Sequence, residues 1–269
     1  MKISNYLFAT SLVLLGCEAP KEQKPEFDQG EDVLVDLSHP YSSETIYWVT
    51  ARQFDLDTVF AGTTDKGYYY SAYDFTTAEH GGTHLDAPIH FASGRQTVDE
   101  VPLEKLIGPA ILIDLRNSVD QVDYLISIDD LKKWESIHGK IPDGSIVLLY
   151  TGHSAYYNDV VRYLGTDQRG EDAVAQLHFP GLNPDAASWL VEKRNINAIG
   201  IDTPSIDYGQ SSLFQSHVIL LSENIPVFEN LTNLEGLPPD NFEVLALPMK
   251  IEGGSGAPLR IVARYSRKP

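Results

Sequence analysis

Residues 80–90 read HGGTHLDAPIH, a stretch that places His80, His84 and His90 beside Asp86. The i, i+4 spacing of His80 and His84 occurs on helices, but two glycines and a proline disfavour a helix here. In an extended strand alternate residues share a face, so His84, Asp86 and His90 are expected to point the same way. The glycine pair supplies the bend that returns His80 toward them. Nitrogen and oxygen donors on one face suit a divalent cation such as zinc or manganese, whereas solvated loop histidines would have no reason to converge.

The overall composition predicts one folded domain with an acidic surface. The chain has 269 residues, 42% of them hydrophobic, which is enough to build a core. Its 38 Asp and Glu residues outnumber its 20 Lys and Arg residues, which leaves a formal net charge of −18. Because such a chain repels phosphate backbones, nucleic acid is excluded as an expected partner.

The N-terminal segment predicts export and a lipid anchor. Lys2 precedes the apolar run Leu7–Leu15, which is far shorter than the roughly 20 residues of a membrane span and has the layout of a secretory signal. The run leads into Gly16-Cys17 and resembles a bacterial lipoprotein signal, which implies cleavage before Cys17 and attachment of lipid to its sulfur. We therefore expect a signal peptide over residues 1–16, a flexible tether over 17–30 and a folded domain over 31–269. The expected location is the bacterial cell envelope; the alternative is an uncleaved apolar N-terminus with an incidental cysteine.

Short apolar runs rich in Val, Ile and Tyr predict that strands dominate the folded domain. They cover Val33–Leu37, Tyr68–Phe75, Ala110–Leu115, Ile146–Tyr150, Ala198–Ile201, Phe242–Leu247 and Leu259–Tyr265. Three helices are expected: Ile128–His138 between Ser127 and Gly139, Pro184 to about Arg194 behind Asn183, and about Ser212 to Glu223 before Asn224. This mixture predicts an α/β domain with a mixed sheet.

Two further side chains would suit a cation. His217 lies inside the third expected helix, where a lone histidine is more often a hydrogen-bonded core residue than a ligand. Glu229 lies in the apolar run Ile225–Leu231 and needs a partner, because burying an unpaired carboxylate is costly. A cation is one such partner, so the residues alone leave both interpretations open.

Together these segments resemble the cyclase or kynurenine-formamidase family of metal-dependent hydrolases, among which the isatin hydrolases look most similar. Residues 80–91 match the family pattern His-x-Gly-Thr-His-x-Asp-x-Pro-x-His throughout. Supporting matches lie at Asp36–Pro40, His178–Leu182, Gly200–Asp207 and the segment from His217 to Glu229. The resemblance covers the chain from about Val33 to Tyr265.

The resemblance implies a metal centre, a fold and an assembly. By that resemblance His80, His84 and Asp86 hold one cation. Where a second is present, Asp86 and Glu229 bridge the pair and His217 binds the other. The resemblance further implies a strand-rich swivelling β/β/α domain and a homodimer or higher oligomer with the site near a subunit interface.

The expected donor set indicates hydrolysis of an amide carbon–nitrogen bond. A bound divalent cation lowers the pKa of water to around 7 and polarises a carbonyl group. His90, the proton donor and acceptor by resemblance, has the near-neutral pKa of histidine and is placed to carry a proton from water to the leaving nitrogen. The alternative is that His90 is a further ligand or orients one.

Aromatic and histidine side chains are the candidates for substrate contact. Trp48 lies in a segment that resembles the isatin-hydrolase segment near the aromatic substrate. His39 and His178 stand on proline-containing loops, which often line pockets, although each fits a surface position equally well. His153 joins them with less support.

We therefore interpret the chain as a metal-dependent hydrolase with one or two Zn²⁺ or Mn²⁺ ions that cleaves a cyclic amide such as isatin, or an N-formyl arylamine. Two alternatives remain: a lactone or polyketide cyclase, and an extracytoplasmic protein that binds a metal or solute without catalysis. A proton carrier at His90 argues against the second, because binding alone does not need one.

Overall fold

Strands dominate the residues that the computed structural model describes, 32–266. The strands are β1 (Asp32–Asp36), β2 (Asp55–Thr63), β3 (Tyr69–Thr76), β4 (His84–Asp86), β5 (Ile107–Asp114), β6 (Leu125–Ile126), β7 (Ile146–Tyr150), β8 (Gly181–Leu182), β9 (Ala198–Ile201), β10 (Val227–Glu229), β11 (Phe242–Pro248) and β12 (Gly256–Ser266). The α-helices are α1 (Leu103–Leu106), α2 (Ile128–His138), α3 (Val160–Leu164), α4 (Pro184–Arg194) and α5 (Gln215–Ser222). Short 3-10 helices cover Pro88–His90, His153–Tyr156, Glu171–Gln176 and Leu234–Gly236. All seven expected runs form strands, with ends that differ from the prediction by three residues at most.

The main sheet is mixed and closes on itself. Its strand order is β1-β12-β11-β5-β7-β9-β10-β4, and β4 pairs with the start of β12 as well as with β10. The pairs β5–β7, β7–β9 and β9–β10 are parallel, whereas the remaining neighbours are antiparallel. The predicted α/β class with a mixed sheet is therefore confirmed, and the closed sheet gives the domain a barrel-like centre.

The central strands are buried on both faces, as expected for parallel strands. Leu148 of β7 packs with Phe228 and Ala246 in one apolar cluster, while its neighbour Val147 packs with Ile199 in a second cluster. The second cluster also contains residues of α2, α4 and α5, so helices cover that face of the sheet. β4 and β10, which carry three of the candidate ligands, are thereby held in the interior.

Two of the three expected helices begin and end where the sequence predicts. Ser127 and Asp130 form a reciprocal cap at the start of α2, and Gly139 follows its last residue. Asn183 caps α4 ahead of Pro184. The third helix is shorter than expected: α5 begins at Gln215 because Phe214 has a left-handed backbone (φ 47°) that no α-helix continues through.

β2 and β3 form a separate hairpin that exposes large apolar side chains on both faces. Seven of them are between 39% and 69% exposed: Leu56, Val59, Phe60, Tyr69, Tyr70, Tyr73 and Phe75. β2 was not predicted, because its apolar residues do not alternate with polar ones as in a strand with one buried face.

The predicted signal peptide, the tether and Cys17 lie outside the described residues, and the predicted domain boundaries stay predictions. Among residues 32–266, none of the helices combines the length and the apolar character that a membrane crossing requires.

Candidate metal centre

A tight bend at the glycine pair places the first candidate ligand. Gly82 has a left-handed backbone (φ 55°), and a Cβ on Gly81 would lie about 2.0 Å from the Tyr47 ring. The Tyr41 hydroxyl lies 2.7 Å from the carbonyl oxygens of both Gly81 and Thr83 and so braces the bend. Backbone geometry therefore requires glycine at position 82, and close packing against Tyr47 requires it at position 81.

The bend brings His80 back to the strand that follows, as the sequence predicts. His80 Nδ1 lies 2.5 Å from Asp86 Oδ1, and His84 Nε2 lies 3.2 Å from the same oxygen. Both His84 and Asp86 belong to β4 and share one of its faces. The extended chain stops at Asp86, however, so His90 does not reach the site as part of a strand; it follows Pro88 in a 3-10 helix.

A neighbouring strand and helix complete the cluster. In the antiparallel pair of β4 and β10, Glu229 lies directly opposite His84, and its Oε2 is 3.5 Å from His84 Nε2. His217, in α5, has its Nε2 3.0 Å from Asp86 Oδ2 and 3.2 Å from Glu229 Oε1. Two donor groups result, one of His80, His84 and Asp86 and one of Asp86, His217 and Glu229, with Asp86 common to both.

The hydrogen bonds behind the histidines make this cluster fit a cation. His84 Nδ1 lies 3.0 Å from the Gly82 carbonyl oxygen, and His217 Nδ1 lies 2.7 Å from Asp207 Oδ2. Because these acceptors take the Nδ1–H, a neutral ring presents the lone pair of Nε2 to the carboxylates. A lone pair and a carboxylate oxygen at these distances repel each other unless a proton or a cation lies between them, and a divalent cation would satisfy all of these donors at once.

The ionisation of the buried groups leads to the same conclusion. Burial disfavours protonation of His84, but the charges of Asp86 and Glu229 outweigh it and raise its pKa to about 9. His217 behaves in the same way: hydrogen bonds to Asp207 and Asp86 raise its pKa well above 6.5 despite burial. The cluster thus holds protons where a cation would lie, and we expect cation binding to release them.

His90 lies beside the donor groups without belonging to either. Its ring stacks on that of His80, with centroids 3.8 Å apart, and contacts Phe91 edge-on. Burial lowers the pKa of His90 to about 4, so at neutral pH the ring is uncharged and able to accept a proton.

A cavity of about 290 Å³ opens onto both donor groups and onto His90. Its walls are aromatic: the ring centroids of Phe214 lie 5.4 Å from Phe91 and 6.1 Å from Trp48, and Tyr47 also faces the cavity. None of the described residues that line it is Lys or Arg. The volume and the walls suit a small, flat ligand without negative charge.

The structure places the four residues predicted to contact substrate in different surroundings. Trp48 lines the cavity. His39 stacks on Tyr157 with centroids 3.5 Å apart, and His178 is exposed in a separate surface groove, so neither is among the residues that line the cavity. His153 is buried with its Nε2 2.8 Å from the Tyr163 carbonyl oxygen. Contact of His39 and His178 with substrate stays a prediction.

Several residues of the site carry no clear signal in the sequence. Phe91 follows His90 directly and belongs to the quoted motif, yet nothing in a single sequence assigns its side chain to the cavity. Phe214 is positioned by a left-handed backbone that is unusual for an aromatic residue. Asp207 lies in one of the supporting segments, and its role depends on a contact with His217 across ten positions of the chain.

Comparisons with known proteins agree with this geometry. The Cyclase family model matches residues 35–208. An isatin hydrolase from Roseibium aggregatum is 33% identical over 194 residues, which cover 69% of this chain and 71% of the relative. A kynurenine formamidase from Salinibacter ruber is 27% identical over 88% of this chain and 99% of its own length. The solved structure of isatin hydrolase A from Ralstonia solanacearum superposes with a TM-score of 0.78 at 32% identity, covering 87% of this chain and 92% of that one.

Proposed function

The chain belongs to the Cyclase family, and on that basis we propose that it is a metal-dependent hydrolase that opens the cyclic amide of a small aromatic molecule such as isatin. The observation that carries the proposal is the convergence of three histidines and two carboxylates beside His90, at the floor of an aromatic cavity. The reaction adds water across a carbon–nitrogen bond: the oxygen goes to the acyl carbon and a proton goes to the nitrogen.

The lining of the cavity favours isatin over N-formylkynurenine. Isatin is flat and uncharged, and it can stack against Trp48, Phe91 and Phe214. N-formylkynurenine carries an amino-acid carboxylate, and none of the described lining residues is a Lys or Arg that could pair with it away from the donor groups. Hydrolysis of an N-formyl arylamine is the second candidate, because a kynurenine formamidase is among the relatives.

The described residues fit one or two cations, and we propose zinc or manganese because the donors are imidazole nitrogens and carboxylate oxygens. His80 and His84 would bind one ion, and His217 and Glu229 would bind the other. Asp86 would contribute to both sites. When bound, such an ion supplies an electrophile for the amide carbonyl and lowers the pKa of water.

His90 performs the proton transfers in this scheme. Its ring is neutral at pH 7, and it lines the same cavity as the donor groups. It accepts a proton from the attacking water and returns it to the nitrogen as the carbon–nitrogen bond breaks, so its charge is unchanged over the cycle. The stacked His80 ring and the adjacent Phe91 hold it in place.

We also propose that the chain forms a homodimer through the β2–β3 hairpin. An isolated two-stranded hairpin is marginally stable, and this one leaves seven apolar side chains exposed. Because they are about half exposed, they offer roughly 100 Å² each and about 700 Å² over both faces of the hairpin. A partner that encloses both faces would therefore bury close to the roughly 800 Å² that each partner contributes to a standard interface. A second copy is the favoured occupant because a two-fold contact uses the same patch on both partners.

Sedimentation of the wild type and of Tyr73→Asp tests this interface. Tyr73 is 47% exposed in the hairpin, and a charge there should convert the dimer to monomer. Ile137→Asp, at a 72% exposed position of α2, is the matched control and should leave the dimer intact. A monomeric wild type, or a dimeric Tyr73→Asp variant, would refute the hairpin interface.

For the N-terminal segment we propose lipid attachment at Cys17 and a location on the bacterial cell envelope. The support is the sequence alone: a short apolar run behind Lys2 that leads into Gly16-Cys17. A single acyl chain binds membranes only weakly, so more than one chain on Cys17 would be needed for a lasting anchor.

The reaction is tested by incubating the metal-loaded protein with isatin, N-formylkynurenine and an aromatic lactone in parallel. We expect rapid loss of isatin with formation of the ring-opened aromatic amine, and slower or no turnover of the other two. Faster turnover of N-formylkynurenine would favour the formamidase function, and faster turnover of the lactone would favour a cyclase-type function. No turnover of any of the three would favour a non-catalytic binding protein.

A further inference from the structure

Two of the three candidate ligand histidines are each held from behind by a separate side chain. His217 is held by Asp207, which approaches from the loop before α5. His80 is held by Ser255, which approaches from the segment before β12. These supports come from different parts of the chain.

Asp207 fixes both the backbone and the ring of His217. Its Oδ2 accepts hydrogen bonds from His217 N at 3.1 Å and His217 Nδ1 at 2.7 Å, and its Oδ1 accepts one from Ser216 N at 3.1 Å. The carboxylate is 2% exposed, so water does not compete for these bonds. With Nδ1–H committed to Asp207, the lone pair of His217 Nε2 is directed at Asp86 and Glu229.

Ser255 performs the same task for His80 with the opposite ring nitrogen. The Ser255 hydroxyl donates to Glu79 Oε2 at 2.6 Å and therefore accepts from His80 Nε2 at 2.9 Å. The backbone N–H of Ser255 donates to the same Glu79 oxygen at 3.1 Å, and this second hydrogen bond fixes the position of the Ser255 side chain relative to Glu79. The lone pair of His80 Nδ1 is then directed at Asp86 Oδ1.

We propose that Asp207 and Ser255, the latter oriented by Glu79, are positioning residues that each support a different half of the metal centre. Asp207 supports the donor group that contains His217, and Ser255 supports the donor group that contains His80. The inference rests on the proposed metal-dependent function in requiring that each of the two donor groups binds a divalent cation.

Titration with Co²⁺ tests the division without reference to catalysis. Metal-depleted wild type, Asp207→Asn and Ser255→Ala are titrated while heat and the visible absorption of the ion are recorded. The wild type should bind in two steps. Loss of a side chain that orients a metal ligand weakens binding by about 10–100-fold, so each variant should weaken one step by that factor and leave the other within about threefold.

Two control variants separate positioning from general damage to the fold. Asp130→Asn removes a carboxylate that caps α2, and Ser145→Ala removes a buried hydroxyl that donates to the Pro142 carbonyl. Both should lower the melting temperature and leave both Co²⁺ steps and their absorption bands unchanged. If they weaken Co²⁺ binding as much as Asp207→Asn and Ser255→Ala do, the positioning roles are refuted.

The other possible results of the Co²⁺ titration also test the proposed division of the metal centre. Weakening of the same step in both variants, no weakening in either, or a single binding step in the wild type would overturn the division into two supported halves. Failure of the wild type to bind Co²⁺ at all would overturn the metal centre itself. Two normal steps in a protein that does not hydrolyse isatin would leave the division intact and refute only the proposed reaction.

Discussion

Replacing His90 by alanine separates proton transfer from metal binding. The ring belongs to neither donor group and stacks against His80 instead of contacting a carboxylate, so His90→Ala should keep its metal. A positioned acid–base group contributes about 10²–10⁴ to kcat, which corresponds to roughly 3–5 kcal/mol of transition-state stabilisation. We therefore expect kcat for isatin to fall by that factor while KM changes little.

The pH profile of His90→Ala gives a second, independent readout. Neutral His90 is needed to accept the proton, so wild-type kcat should fall as the pH drops through the pKa of this ring. That acid limb should be missing in the variant. Metal content and kinetics are measured on the same preparations, with His138→Ala in α2 as a control that should match the wild type. A metal-depleted variant would make His90 a ligand, and near-native kcat with full metal would refute its role in proton transfer.

Three further predictions concern stability, substrate contact and the anchor. A cation present at 100 times its Kd stabilises the folded state by about 2.7 kcal/mol, which should raise Tm by roughly 5–11 °C relative to protein in chelator; equal melting temperatures would contradict the site. Phe214→Ala removes an aromatic wall contact worth about 0.5–1.5 kcal/mol and should raise KM for isatin by about 2–12-fold; an unchanged KM would exclude Phe214 from substrate contact. Cys17→Ser should move the protein from the membrane to the soluble fraction, and retention after a high-salt wash would contradict lipid attachment.

Part of the metal centre could be predicted because its donors are close in the sequence. Three donors of the first group lie within seven residues, and the glycine pair between them permits the left-handed bend that returns His80 toward Asp86. The alternation of a short strand then places His84 and Asp86 on one face. Local rules of geometry therefore sufficed for His80, His84 and Asp86.

The second half of the centre depends on tertiary pairing. Glu229 is brought to His84 by the antiparallel pairing of β10 with β4, a register that the sequence of either strand does not specify. His217 approaches from a helix whose start is set by the left-handed Phe214 and by Asp207. From residues alone, burial of His217 and Glu229 could be explained without a cation, and only the family resemblance gave them a role.

The substrate side of the site was the least predictable. His39 and His178 lie on proline-containing loops, but one stacks on Tyr157 and the other is in a separate groove, because loop paths follow long-range packing. The predicted Trp48 lines the cavity together with Phe91 and Phe214, two residues that a single sequence cannot distinguish from core aromatics.

The central claim is most directly tested by measuring metal content and isatin hydrolysis together in the wild type and in Asp86→Asn. Asp86 contributes to both donor groups, so Asp86→Asn should lose its bound metal and its turnover of isatin. The control variant Asp114→Asn, on the surface beside Arg116, should retain the metal and the turnover. Wild-type activity should disappear with chelator and return with Zn²⁺ or Mn²⁺. Full turnover by metal-free wild type, or a full complement of metal in an inactive Asp86→Asn variant, would contradict the account.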